Sequence, residues 1–252
     1  MTSIMDMVSV TPIFEKFAAV PIRDTTDLVP VGRFHTALQM QDVTFAYDPN
    51  SRPILQDFSL TVAKGQKYAL IGPSGSGKST VLNLLIGNLT DYQGTLRYDQ
   101  TNYRHITPDS LINQVTYLDQ TPFMFNDTLK NNLTMNEPYS DETIAAVIQR
   151  VGLTDLVASL PQGLATMVEK DGRNLSGGQK QRVVLARGLL QGRQIVFMDE
   201  STTSLDPASA QAIEEMIVTD PHLTVVMVTH HLRPTIAQQM DCVIDSAEFV
   251  PA

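Results

Sequence analysis

Cysteine is nearly missing from this chain of 252 residues: Cys242 stands alone. That excludes an internal disulfide and any metal site built from several thiolates, and it suits a reducing compartment. Long apolar runs are missing too. The longest, Ile144 to Ile148, is far short of the roughly 20 residues a membrane-spanning helix needs. No basic stretch followed by an apolar one opens the chain, so no secretory leader is read. Positive charge is scarce: 18 Lys and Arg face 27 Asp and Glu, a net charge of -9. Binding along a nucleic-acid backbone needs a basic stripe, so nucleic acid is not an expected partner. Hydrophobic residues make up 42% and charged residues 18%, enough for a packed core and inconsistent with wholesale disorder. At about 150 residues per domain, the length suggests one large domain or two small ones.

Residues 1–36 differ in texture from the rest. Met5 to Ala19 reads as an amphipathic helix interrupted by Pro12, with Met7, Ile13, Phe14 and Phe17 on one side. Pro21, Pro30 and the polar run Arg23–Asp27 then read as a linker. Two alternatives stay open: a lead-in from a further domain, or an arm packed on this one. From Ala37 strands begin. Leu38, Met40, Val43 and Phe45, then Leu60 and Val62, alternate in part around a turn at Asp48–Ser51. Tyr68–Ile71, Ile195–Met198 and Val225–Val228 are short apolar runs, as expected of strands buried on both faces. Long helical stretches separate them, which predicts a parallel sheet with crossover helices. Helix formers dominate from Asn126 to Leu190, most clearly over Asp141–Val151 and Gln179–Leu190, and predict an inserted helical lobe.

Gly72-Pro73-Ser74-Gly75-Ser76-Gly77-Lys78-Ser79-Thr80 satisfies G-x-x-x-x-G-K-[ST] between a strand and a helix. Small residues let backbone N–H groups converge on an anion, and the helix that follows aims its positive end at the same place. Lys78 can reach β- and γ-phosphates, and the Ser79 hydroxyl can ligate Mg²⁺. The run Ile195–Met198 ends in Asp199-Glu200. Ligands gather at the carboxyl ends of parallel strands, so both acids are expected to face the phosphate loop. Asp199 would hold Mg²⁺ and Glu200 would polarise an attacking water. A second anion-binding helix start lies at Leu175-Ser176-Gly177-Gly178-Gln179, with Ser176 as N-cap.

This last segment, followed by Lys180-Gln-Arg-Val-Val-Leu-Ala-Arg-Gly-Leu-Leu190, resembles the signature of ATP-binding cassette ATPases. The resemblance runs from about Ala37 to the C-terminus. It implies an α/β fold: a P-loop NTPase (RecA-like) core with a mostly parallel sheet, an N-terminal antiparallel β subdomain and a helical subdomain at about 126–190. Phe45-Ala46-Tyr47 is similar to the family's adenine-stacking strand end, so Tyr47 would stack on the base. Tyr117-Leu118-Asp119-Gln120 resembles the Q-loop, with Gln120 near Mg²⁺ or the water. Ser204-Leu205-Asp206 matches the D-loop, and His230 the switch histidine at the γ-phosphate. His35, His105, His222 and His231 match no motif and are read as surface residues.

The stretch from Thr121 to Leu133 looks like the exporter branch. The resemblance therefore implies a MgATP-dependent ATPase that pairs head to tail with a second cassette. Ser176, Gly177, Gly178 and Gln179 would close over ATP bound by the partner, expected to be a second copy of this chain. A transmembrane domain would be driven from the cytoplasmic face of the membrane. The sequence departs from the exporter pattern in two places: Lys170 replaces a glutamate before the signature, and Ser201 replaces an alanine after Glu200. The linker-like start and the early stop after Cys242–Ile244 are expected of a domain excised from a longer exporter. Two competing readings are a cassette ATPase working on DNA or ribosomes, which the acidic charge disfavours, and a non-hydrolysing regulator, which the intact catalytic positions disfavour.

Overall fold

The computed structural model describes residues 28–250. The helix expected over Met5–Ala19, and the linker up to residue 27, lie outside the described residues.

Two sheets share the work. The antiparallel one has the order β2-β1-β4-β5 and is built from β1 (Ala37–Phe45), β2 (Leu55–Ala63), β4 (Gln93–Tyr98) and the short β5 (Thr101–Asn102). β1 faces β2 with Leu38 opposite Val62 and Met40 opposite Leu60. The register then shifts between Met40 and Val43, where Asp42 takes φ 49°. That irregularity moves the inward phase by one residue. It explains why the apolar pattern reads Leu38, Met40, then Val43, Phe45, with all four buried.

The second sheet is five-stranded, parallel throughout, with the order β6-β7-β8-β3-β9. Its strands are β3 (Lys67–Ile71), β6 (Val115–Leu118), β7 (Ile195–Asp199), β8 (Thr224–Thr229) and β9 (Cys242–Asp245). β3, β7 and β8 are the three apolar runs of the sequence. Ile195 and Phe197 join one core with the antiparallel sheet and α1 (Lys78–Leu85). Val196 and Met198 point to the opposite face and join a second core with the helical segments. The period-2 geometry of a strand thus builds two cores from one run of apolar residues.

A short α2 (Pro108–Ile112) precedes β6. Beyond it come α3 (Leu129–Thr134), α4 (Asp141–Arg150), α5 (Thr154–Ser159) and α6 (Gly177–Leu190). α4 starts where the Ser140 hydroxyl accepts from the Thr143 N–H and stops before Gly152, which takes φ 66°. These last four helices, α3 to α6, fall between 129 and 190, and the last of them lies directly on the sheet. At Gly188 of α6 a Cβ would fall 1.8 Å from the Thr116 hydroxyl of β6, so only glycine permits this approach. Two helices, α7 (Pro207–Val218) and α8 (Pro234–Ala237), complete the chain's crossovers. Among the described residues no helix is long and apolar enough to cross a membrane.

Candidate nucleotide site

The site forms at the carboxyl ends of β3, β7 and β8. β3 ends at Ile71, and the loop from Gly72 turns into α1 at Gly77, which takes φ 96° as the left-handed N-cap. A Cβ there would stand 2.5 Å from the Ile54 side chain, so the turn demands glycine on two counts. The first turn of α1 carries no acidic residue, leaving its positive end free for an anion. Lys78 is buried, and its ammonium donates to the Gly72 and Pro73 carbonyls at 2.9 and 2.6 Å. Burial pulls its pKa down, while Glu200 and Asp199 pull it back up.

β7 delivers the two acids. The Ser79 hydroxyl donates to Asp199 Oδ1 at 2.8 Å, and the Tyr117 hydroxyl donates to Asp199 Oδ2 at 2.7 Å. Glu200 leaves the strand at φ 50°, a left-handed conformation that a non-glycine residue rarely adopts. Its carboxylate Oε1 lies 2.6 Å from His230 Nε2, and His230 Nδ1 lies 2.9 Å from the Gly72 carbonyl. A carbonyl only accepts, so Nδ1 carries a proton there. Glu200, His230 and the phosphate loop form one hydrogen-bonded line.

Tyr47 closes the other end. It is 64% exposed, its hydroxyl lies 3.1 Å from the Thr80 hydroxyl, and its ring stands edge-on to Phe45. Together Tyr47, Ile54, Ser74, Lys78, Thr80 and Glu200 wall a cavity of about 260 Å³.

The remaining residues singled out in the sequence lie outside this cavity. Gln120 is exposed and lines a neighbouring cavity of about 450 Å³ with Phe123, Lys180 and Ser204. Ser176 and Gln179 form a capping box at the start of α6. The Ser176 hydroxyl accepts from the Gln179 N–H at 3.2 Å, and Gln179 Oε1 accepts from the Ser176 N–H at 2.8 Å. Gly178 is buried beside Ser209 and Ile213 of α7, and at Gly177 a Cβ would stand 2.5 Å from the Leu205 side chain. None of the four signature residues walls the phosphate-loop cavity of its own chain. Asp206 caps α7 and accepts from the Ser209 N–H at 2.9 Å; hydrogen bonds from Ser209 hold its carboxyl below the usual range. Lys170, His35, His105, His222 and His231 are exposed.

Three polar residues of the site went unread in the sequence. Tyr117 touches Asp199, as described. Gln181 of α6 is buried and donates through Nε2 to the Asp119 carbonyl at 2.6 Å and the Ser201 carbonyl at 2.7 Å. Glu214 of α7 accepts from the Thr202 hydroxyl at 2.6 Å and pairs with Arg233, joining the loops after Glu200 and His230. The partners of each lie on other elements, so nothing in local spacing marks them.

A parallel sheet with a phosphate loop and an acidic strand end at one edge defines a P-loop nucleoside triphosphatase. The family model described as ABC transporter matches residues 55–203, over half of the chain, and the chain belongs to that family. It is 39% identical over 197 residues to the glutathione/L-cysteine transport system ATP-binding/permease protein CydD of Bacillus subtilis, covering 77% of this chain and 34% of that protein. It is 36% identical over 214 residues to ATP-binding cassette sub-family B member 6 of Rattus norvegicus, covering 84% and 25%. A solved bacterial Atm1-family ABC exporter with ATP bound superposes with a TM-score of 0.80 at 30% identity, over 96% of this chain and 42% of that one. The chain thus spans only about a quarter to a third of the curated relatives it matches. The matched part is the ATP-binding domain of an ABC transporter, an ATPase module.

Proposed function

We propose that this domain hydrolyses MgATP to power export across a membrane, with two copies closing head to tail around two nucleotides. The observation that carries the reading is the line Gly72–His230–Glu200 beside the Ser79–Asp199 pair, at the mouth of the cavity roofed by Tyr47. The residues present fit the metal. The Ser79 hydroxyl and a carboxylate oxygen of Asp199 are hard donors already in contact, and Mg²⁺ is usually held by one or two such groups plus substrate phosphates. Held by Ser79 and Asp199, Mg²⁺ would supply positive charge to offset that of the phosphates.

The chain's own groups would do the rest. Tyr47 offers its ring to the adenine. Backbone N–H groups from Ser74 to Thr80 and the start of α1 cradle the phosphates, with Gly75, Ser76 and Gly77 admitting them closely. Lys78 exchanges loop carbonyls for phosphate oxygens. His230 Nε2 turns from Glu200 to a γ-phosphate oxygen, which frees Glu200 to take a proton from the attacking water. Gln120 reaches the site as the two lobes close, and the D-loop residue Asp206 lies at the seam between copies. Ser176, Gly177, Gly178 and Gln179 present the α6 N-terminus to the nucleotide of the partner copy.

On this reading the domain sits at the cytoplasmic face beneath a transmembrane domain, in the same polypeptide or a separate chain. Residues 37–252 form the ATPase unit, and residues 1–36 lead to it from the membrane part. Replacing the base tests the core of the proposal. Glu200→Gln is expected to keep ATP binding, to lose turnover by about a hundred- to ten-thousand-fold, and to elute as a dimer in MgATP. Normal turnover in the purified variant would remove the assigned role.

A further inference from the structure

We propose that Tyr117 is the positioning residue of the metal-binding carboxylate: it pins Asp199 Oδ2 so that Oδ1 alone is presented beside the Ser79 hydroxyl. The proposal rests on the MgATP site described above and deepens it.

The geometry follows from sheet register. β6 and β7 run parallel with Tyr117 opposite Phe197. Asp199 is two residues past Phe197, so its side chain leaves the sheet on the same face. That face is the core shared with the antiparallel sheet, where Phe197 and Val115 lie and against which the Tyr117 ring packs. An aromatic side chain can reach such a diagonal neighbour on the next strand. The phenol therefore rises along the sheet and meets Asp199 from the strand side, at 2.7 Å. Ser79 meets the other oxygen from the helix side, at 2.8 Å.

Each oxygen of the carboxylate has a hydroxyl donor, but the two donors differ in kind. Ser79 belongs to the mobile-proton, metal-ligating side: its oxygen has a lone pair to offer once a cation arrives. Tyr117 has no such role, being anchored by its ring in the core. A carboxylate free to rotate can offer either oxygen, or both together, to a cation. One held at Oδ2 offers a single oxygen in a fixed direction. Mg²⁺ demands near-ideal octahedral geometry, whereas Ca²⁺ tolerates bidentate and irregular ligation. A pinned, one-oxygen ligand favours the smaller ion.

The test uses the Glu200→Gln protein, in which nucleotide and metal can be titrated without turnover. Mn²⁺ serves as the spectroscopic stand-in for Mg²⁺, its free fraction read by electron paramagnetic resonance with ATP present. Adding Tyr117→Phe removes one oxygen and keeps the ring, so packing is retained. The Mn²⁺ affinity of the ATP complex is expected to fall about 10- to 100-fold, the usual loss when the hydrogen-bond partner of a metal ligand is removed. ATP affinity in EDTA should stay within about twofold, and competition by Ca²⁺ against Mn²⁺ should strengthen. In an Asp199→Ala background, Tyr117→Phe should change nothing further in metal affinity.

Unchanged Mn²⁺ affinity would overturn the proposal, as would an equal loss of ATP affinity in EDTA, since the hydroxyl would then support the loop as a whole. Failure of the metal-site reading looks different: the Glu200→Gln parent itself would bind no Mn²⁺ with ATP.

Discussion

A single amide that donates to two backbone carbonyls leaves little play in either loop it holds. Gln181 Nε2 grips the carbonyl just before Gln120 and the carbonyl just after Glu200. Among the described residues, its Oε1 and the Ser201 hydroxyl are buried without partners. Gln181→Met keeps length and volume but strands the buried Ser201 carbonyl, at about 1–3 kcal/mol when unsatisfied, and frees the Asp119 carbonyl. The expected outcome is a lower melting temperature together with a fall in kcat that exceeds any change in ATP affinity. Equal loss of both would mean that the amide merely packs. Residues of this kind escape sequence reading because Gln181 and Asp119 are 62 positions apart, and a contact so distant leaves no local pattern. Lys78, Ser79, Asp199 and Glu200 were legible for the opposite reason. Their chemistry needs neighbours in sequence, a loop of small residues before a helix and acids just past an apolar run. Gln120 sits between the cases: its motif reads clearly, yet the side chain faces the next cavity.

At the scale of elements, α6 shows how one terminus serves two ends. Its capping box satisfies N–H groups that would otherwise be orphaned, and the same terminus is the one proposed to meet a partner's phosphates. The two roles separate by substitution. Ser176→Ala removes the cap, at about 1 kcal/mol, or roughly 2–4 °C in a chain of this size. Ser176→Asp restores a capping oxygen but places a negative charge where the triphosphate would arrive. It should melt like the parent and fail to dimerise in MgATP when combined with Glu200→Gln. Melting curves and size-exclusion profiles of the two variants decide the matter; an Asp variant that still dimerises would exclude phosphate binding at this terminus. Elements followed the sequence where pattern was local. β3, β7 and β8 were apolar runs, but β6 was not, because buried Thr116 breaks its run. α6 begins at Gly177, earlier than Gln179, since two glycines in a row read as loop.

Across the whole molecule, the segment from Phe123 to Thr134 has to be kept in register with α6, and one guanidinium does most of this. Arg187 donates to the Asn132 carbonyl at 2.6 Å, the Asn132 side-chain oxygen at 2.9 Å and the Phe123 carbonyl at 2.8 Å, and lies over the Phe125 ring. Burial pushes its pKa down to about 10, so it stays cationic at neutral pH and its three acceptors stay paired. The rings it steadies, Phe123 and Phe125, are 63% and 41% exposed and stack edge to face. They stand on the segment that follows Gln120. Arg187→Lys keeps the charge but replaces a planar fork by a point donor. At least one carbonyl must lose its partner, and a lost hydrogen bond to a charged group costs about 1.5–3 kcal/mol. Amide hydrogen exchange should then quicken over Phe123–Thr134 while β7, β8 and α1 keep their protection, and ATP affinity should hold. Uniformly faster exchange would instead make Arg187 a general support of the fold. Confined loosening would show that the phosphate site and the exposed aromatic pair are separable parts, joined through α6.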